Sequence, residues 1–317
     1  MIMRFCLRYL LAPILLSSFL CAQEPQSAAA AADRATPPTH TPPADPIQLQ
    51  PDPSGLISQE QFRELLRYAQ DREVENEKRL RDYTYINRGE ERKLDRDGRV
   101  KKIESRTREV LEVYGEPVER LIAKDDKPLS QEDAKKEDDR IQKIMDKRKN
   151  ESENDRRKRL EKEEKEREED RKFVLEIADA FNFRLIGSET LDGRNTWVIE
   201  GEPRPGYHAK ERSTRLLSKF KGTVWIDKAE GQWVKLDITA IDTVSFGWFL
   251  ARLHAGAHAV AEQIKVNDEV WLPKHVAAQV SVRLALLKND NEDIDETYRD
   301  YKKFRTESKI TVVGETQ

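Results

Sequence analysis

The chain has 317 residues, with 57 Lys and Arg against 60 Asp and Glu and a formal net charge of −3. This balance provides no basic surface of the kind that nucleic acid binding normally requires, so we expect no nucleic acid partner. The only cysteines are Cys6 and Cys21. A chain processed after residue 22 would therefore contain neither disulfides nor cysteine-ligated metal.

Residues 1–22 have the pattern of a secretory signal peptide. Arg4 and Arg8 precede a short apolar run, which small and apolar residues follow through Ala22. The run is shorter than the roughly 20 residues of a membrane-spanning helix, and no later segment approaches that length. We expect cleavage after Ala22 and a periplasmic or secreted protein without a membrane span. A lipid anchor at Cys21 is the alternative, and the bulky Phe19 before it disfavours that anchor.

Residues 23–54 are rich in Ala, Pro, Gln and Thr and predict a disordered tether. Order is expected to begin at Ser58, which precedes Gln61 by three residues as in a capping box. Apolar residues such as Phe62 and Leu65 then recur at helical spacing, and they predict an amphipathic helix that ends near Leu80. Residues 55–130 would form this helix and the first strands, with a hairpin turn at Asp97-Gly98.

Residues 131–179 change character and predict one or two protruding charged helices. Of the 27 residues from Asp146 to Lys172, 23 are charged, 12 of them basic and 11 acidic. Acidic and basic residues three to four apart support an exposed helix. A solvated spacer is one interpretation and a partner-binding coiled coil is the other; the absence of heptads favours the spacer.

Residues 180–317 show a series of hairpin signals. Turns are predicted at Asp192-Gly193, at Lys228 to Gly231 and at Asn267 to Glu269, with apolar strands on both sides. Consecutive hairpins imply an antiparallel meander of about eleven strands. The apolar stretch from Phe246 to Leu253 is long enough for two helical turns that would plug the sheet together with the N-terminal helix. The predicted fold class is α+β, an antiparallel half-barrel wrapped around helices, with an inserted charged helical segment.

Catalytic motifs are absent, and we expect neither an enzyme nor a cofactor. His254, His258 and Glu262 are four residues apart and would share one face of a helix as a zinc site, which would make the chain a hydrolase. Gly256 and the alternation that follows it indicate a turn entering a strand instead, so no metal site is predicted. Asp227 is expected to shape the turn after its strand rather than to act as an acid.

The aromatic residues of the C-terminal half are the candidates for a ligand cavity, because such cavities are mainly apolar and aromatic. The alternative is that they simply fill the core. The candidate residues are Trp225, Trp233, Phe246, Trp248, Phe249 and Leu253.

The pattern resembles the LolA/LolB/RseB superfamily of lipoprotein-sorting proteins. The resemblance rests on the helix leading into Tyr83-Thr84-Tyr85, on Gly222 to Lys228 followed by Trp233, and on Trp271-Leu272-Pro273, with Thr297 to Tyr301 as the closing strand. It implies a half-barrel whose apolar cavity holds acyl chains in the carriers. The expected function is a periplasmic, non-enzymatic protein that binds a lipid or the acyl chains of a lipoprotein. The alternative is a protein-interaction or envelope-stress sensor module that uses the groove or residues 131–179 to contact an envelope protein.

Overall fold

The computed structural model describes residues 48–114, 116–211, 213–246, 251–284 and 288–304. The predicted signal peptide at 1–22 and the predicted tether up to residue 47 lie outside the described residues. The helices are α1 (Gln59–Leu80), α2 (Gln131–Lys149), α3 (Glu153–Ala180) and a 3-10 helix (Ser213–Lys219). None of the helices in these ranges combines the length and the apolar character needed to cross a membrane.

One antiparallel sheet contains all the strands that the structure describes. They are β1 (Leu56–Ile57), β2 (Tyr83–Leu94), β3 (Val100–Val113), β4 (Glu116–Lys124), β5 (Lys127–Pro128), β6 (Phe181–Leu191), β7 (Arg194–Pro203), β8 (Phe220–Asp227), β9 (Trp233–Ala240), β10 (Val244–Phe246), β11 (Ala251–Leu253), β12 (His258–Val266), β13 (Val270–Leu284) and β14 (Lys288–Lys303). Their order is β1-β6-β7-β8-β9-β12-β13-β14-β2-β3-β4-β5, and β10 and β11 lie beside the end of β13. The sheet is not closed, because β1 and β5 lie at opposite ends. The predicted α+β half-barrel is therefore confirmed, with fourteen strands in the described residues rather than about eleven.

The predicted hairpin turns are confirmed where the sequence places Asp-Gly pairs. Asp192 and Gly193 join β6 to β7 and both have positive φ, 47° and 78°. Two consecutive left-handed residues match the right-handed twist of the flanking strands, and Asp-Gly adopts this conformation readily. The register of the two strands is thereby fixed at Leu191 opposite Arg194.

The prediction of a helical plug from Phe246 to Leu253 is wrong for the described part of that stretch. Phe246 ends β10, and Ala251–Leu253 forms β11, with Phe246 opposite Ala251. The physical reason is that β13 continues past the start of its neighbour β12. Backbone groups there need hydrogen-bond partners, and β11 supplies them by pairing as far as Leu284.

Helix α1 covers one face of the sheet and begins as predicted. Ser58 is its N-cap, and the hydroxyl accepts a hydrogen bond from the backbone N–H of Gln61. Phe62 is buried and stacks on Phe183 of β6, with ring centroids 3.4 Å apart. Leu65 is fully buried in the same apolar cluster. The helix thus closes the first part of the half-barrel core.

Helix α3 is exposed over most of its charged length but joins the core at its end. Phe173, Ile177 and Ala180 pack in the cluster beneath α1. Asp179 accepts hydrogen bonds from Arg63 of α1 and from Lys210. Burial raises the pKa of Asp179, but these two cations outweigh it and hold the pKa below its usual value. The last turns of α3 are therefore fixed to α1 by both apolar and ionic contacts.

Helix α2 lies along the outer edge of β4. The Glu137 carboxylate accepts a hydrogen bond of 2.8 Å from the backbone N–H of Leu121, and the Arg140 guanidinium donates to the backbone carbonyl of Glu119. Ile141, on the same helix, is buried. Side chains of α2 thus occupy hydrogen-bonding groups at this edge of β4, whose other partner among the described strands on that side is the short β5.

Candidate functional site: the alanine-rich face of the sheet

The sheet face that α1 covers continues without interruption across the central strands. Residues directly opposite each other in neighbouring antiparallel strands share a face. Val224 of β8 is opposite Leu236 of β9, Leu236 is opposite Ala261 of β12, and Ala261 is opposite Val276 of β13. Since Val224 packs in the cluster under α1, the central strands present the same side to the interior of the half-barrel.

Alanine dominates the apolar cluster on this face beyond α1. Its buried members are Phe220, Ala240, Val244, Leu253, Ala257, Ala259, Ala278, Val280 and Val282. Ala259 and Ala278 are directly opposite each other in β12 and β13. Within the described residues, the partly buried Leu216 is the one cluster contact that a helix contributes. We call this set the alanine-rich face; its central side chains are small, whereas phenylalanines fill the part of the core under α1.

Two of the sequence-predicted cavity residues lie on this side of the sheet. Leu253 is fully buried in the alanine-rich face and is opposite Val244. Trp233 packs in the adjoining cluster against Ala261 and Val276. Of Phe246 only the backbone is described, and Trp248 and Phe249 lie outside the described residues. The structure therefore brings Leu253 and Trp233 to neighbouring parts of one interior face.

Trp225 lies on the opposite face of the sheet. It is half-buried, and its indole Nε1 donates a hydrogen bond of 2.6 Å to Glu189. The ammonium group of Lys235 lies 4.8 Å from the centre of its ring. Trp225 is thus held by polar contacts and does not belong to the apolar clusters. The alanines were not among the sequence candidates, although Ala257, Ala259 and Ala261 alternate along the sequence as residues of one strand face do.

An ionic network surrounds the turn between β8 and β9. Asp227 is 1 % exposed, and its Oδ1 accepts hydrogen bonds from the backbone N–H groups of Ala229 (3.0 Å) and Glu230 (2.8 Å). Arg194 donates to its Oδ2 at 2.7 Å and to Glu230 at 2.7 Å. The prediction that Asp227 shapes this turn is confirmed.

Glu230 links this network to Trp271. Its carboxylate accepts hydrogen bonds from Lys265 and from the Trp271 indole Nε1, the second at 2.9 Å. Burial raises the pKa of Glu230, but these two donors outweigh it and the pKa lies below its usual value. The Arg194 guanidinium lies 5.1 Å from the Trp271 ring centre, within the range of a cation–π contact. These contacts link the β6–β7, β8–β9 and β12–β13 turns at one end of the sheet.

The histidines considered for a zinc site are separated by the strand structure. His258 begins β12, as the alternation predicted, and its Nε2 lies 2.8 Å from Asp237 of β9. His254 precedes that strand, and its backbone N–H donates to the carbonyl of Ser281. Among the residues that the structure describes, no three His, Cys, Asp or Glu side chains converge as a metal site would require.

The fold and this face define an α+β protein with an open antiparallel half-barrel and an apolar interior face. No protein-family model matches the chain, and no curated protein matches it. Three solved structures are similar to it. A domain described as outer membrane lipoprotein-sorting, from Vibrio parahaemolyticus, has 14% identity and a TM-score of 0.31, covering 77% of this chain and 94% of that one. A DUF1329 family protein from Desulfovibrio piger has 12% identity and a TM-score of 0.27, with 78% and 93% covered.

A LolA superfamily protein from Nitrosomonas europaea has 11% identity and a TM-score of 0.26, with 76% of this chain and 93% of that one covered.

Proposed function

We propose that the chain is a non-enzymatic, periplasmic binding protein that holds an acyl chain of a lipid or lipoprotein against the alanine-rich face. The observation that carries this proposal is the pair Ala259 and Ala278, opposite each other at the centre of an interior sheet face. Both are buried, at 5% and 2% exposure. Small side chains at the middle of a broad apolar face suit a long, thin apolar ligand.

Binding of this kind needs no polar chemistry. Transfer of a methylene group from water to an apolar site contributes about 0.8 kcal/mol, so each added CH₂ in contact with the face should tighten binding about fourfold. A chain of about ten methylenes would gain roughly 8 kcal/mol before the cost of immobilising the ligand is subtracted. The result is affinity in a useful range without any catalytic residue.

Native mass spectrometry with lipid extraction, on residues 23–317 purified from a periplasm, tests the proposal directly. A bound species of lipid mass that organic solvent releases is the expected result. Saturated fatty acids of eight to sixteen carbons would then be titrated into the delipidated protein. Affinity should rise by about fourfold per CH₂ until the face is fully covered.

Matched substitutions separate the face from the rest of the sheet. Ala259→Phe and Ala278→Phe each place a ring where the acyl chain would lie and should weaken binding at least tenfold. Ala277→Phe is the control, because strand alternation directs it to the other face. Retained affinity in the first two variants, or affinity independent of chain length in the unmodified protein, would exclude this function for the face.

A further inference from the structure

A cavity lies where two neighbouring strands of the sheet separate. The ladder between β9 and β12 ends at Lys235 opposite Glu262. Immediately beyond this pair, β13 has a bulge at Lys274, which is skipped in its pairing with β12, and β9 has a bulge at Val234, which is skipped in its pairing with β8. Bulges bend a strand and redirect its side chains. Val234, at the bulge of β9, and Gln263, beside the bulge of β13, line the cavity, which has a volume of about 240 Å³.

Gln263 is the polar group of this cavity that has no protein partner. The residue is 2% exposed, and neither its Oε1 nor its Nε2 makes a hydrogen bond. A buried amide without partners costs about 1–3 kcal/mol, so such groups are rare in native structures unless a ligand or water satisfies them. A glutamine amide presents an acceptor and an NH₂ donor side by side in one plane. Its natural complement is another amide.

Charged groups around the cavity are already paired with each other. Arg194 binds Asp227 and Glu230, and Lys265 binds Glu230. An anion or a cation would have to displace one of these contacts before it found an opposite charge. The exposed Asp268 lies 3.7 Å from Arg194 Nη1, which places a further carboxylate beside that cation. The electrostatics of the cavity therefore favour an uncharged ligand.

The remaining walls are apolar and limit the size of the ligand. Leu191, Val234, Ile264 and Trp271 line the space beside Gln263. A volume of about 240 Å³ is below the roughly 300–1,000 Å³ of common ligand sites. We propose that this cavity binds a small, uncharged amide with a short apolar or aromatic substituent, in which the ligand amide pairs with the Gln263 side chain. The site is separate from the alanine-rich face.

Three probes that share a benzoyl group test this proposal on the full chain. Benzamide offers both a donor and an acceptor, methyl benzoate lacks the donor, and benzoate is charged. Each is titrated into protein labelled with ¹⁵N, while the side-chain NH₂ signals of Gln263 and the indole signal of Trp271 are followed by NMR. We expect saturable shifts with benzamide and at least tenfold weaker binding of the other two. Equal binding of benzamide and methyl benzoate would overturn the proposal.

Three variants complete the test. Gln263→Leu should weaken benzamide binding at least tenfold, and Val234→Phe should do the same by filling the cavity while the amide stays in place. Gln279→Leu, on the exposed part of β13, is the matched control and should bind benzamide normally. If Gln263→Leu fails to fold, Val234→Phe decides the matter. Unchanged binding in the cavity variants, or no saturable shift in the unmodified protein, would mean that Gln263 faces only water and that the proposal is wrong.

Discussion

Replacing Asp227 with Ala tests how much of the fold depends on the ionic network at the β8–β9 turn. Asp227 is 1 % exposed, and the Arg194 side chain that binds it is 23% exposed. The substitution leaves the backbone N–H groups of Ala229 and Glu230 without their acceptor. It also removes one of the three carboxylates that pair with the Arg194 guanidinium. Each loss reduces the free energy of unfolding by a separate mechanism.

The magnitude follows from the contacts. Two backbone hydrogen bonds to a charged acceptor contribute about 1 kcal/mol each or slightly more. Breaking a buried ion pair on one side costs about 3–5 kcal/mol. Here Arg194 keeps Glu230 and some contact with solvent, so only part of that cost applies. We expect Asp227→Ala to lower the free energy of unfolding by about 3 kcal/mol. Asp227→Asn retains an acceptor for the turn and should lose about half as much.

Urea denaturation followed by tryptophan fluorescence measures these changes. Asp242→Ala is the control. Asp242 also accepts hydrogen bonds from a backbone N–H and from a lysine ammonium, but its side chain is largely exposed. Its effect should be much smaller than that of Asp227→Ala. A loss below about 1 kcal/mol for Asp227→Ala would show that the turn and the Arg194 contacts add little, and would refute the reasoning.

Three further predictions concern other contacts of the core. Gly231→Ala should destabilise the protein by about 2 kcal/mol, because Gly231 has a φ of 65° and a Cβ there would lie 2.5 Å from the Tyr68 ring; an unchanged thermal midpoint would contradict this. Asn76→Ala should lower the free energy of unfolding, measured by urea denaturation, by about 2 kcal/mol. The Asn76 amide donates to the backbone carbonyl of Trp271 at 2.9 Å and accepts from its N–H at 2.7 Å, and the substitution removes both hydrogen bonds. Asp179, whose pKa is held below its usual value, stabilises the fold above its unfolded-state pKa, and this contribution is lost as the pH falls through the folded-state pKa. Asp179→Asn should therefore lower stability at pH 7 and flatten its decline between about pH 5 and pH 2; an unchanged acid limb would disprove it.

Much of the sheet could be predicted because its hairpins carry local signals. Asp97-Gly98 and Asp192-Gly193 adopt turn conformations that few other residue pairs favour, so the neighbouring strands and their register follow from the sequence. The cap at Ser58 is equally local. The helix prediction failed for Phe246 and for Ala251–Leu253, the described part of that stretch, because β11 pairs with backbone groups of β13 that are distant in sequence.

The candidate sites depended still more on distant contacts. The alternating alanines at 257, 259 and 261 are visible in the sequence, but the cluster that buries the first two also takes residues from β8, β9, β10, β11 and β13. The bulges at Val234 of β9 and Lys274 of β13 leave no mark in the apolar pattern, and their meeting on either side of β12 exists only in three dimensions. Aromatic content pointed to Trp225, which lies on the opposite face because register alone decides which way a strand residue points.

The charged helix α2 covers part of the edge of β4 and so hinders pairing of that edge with a strand of another molecule. By bonding the Leu121 N–H and the Glu119 carbonyl, Glu137 and Arg140 occupy groups through which a strand of another molecule would otherwise attach. A variant lacking residues 131–179 would lose these contacts and leave the edge of β4 exposed to pairing with a strand of another molecule. Self-association of such a variant would be a consequence of the exposed strand, so partner binding by this segment is better examined with α2 intact and with changes confined to the exposed part of α3.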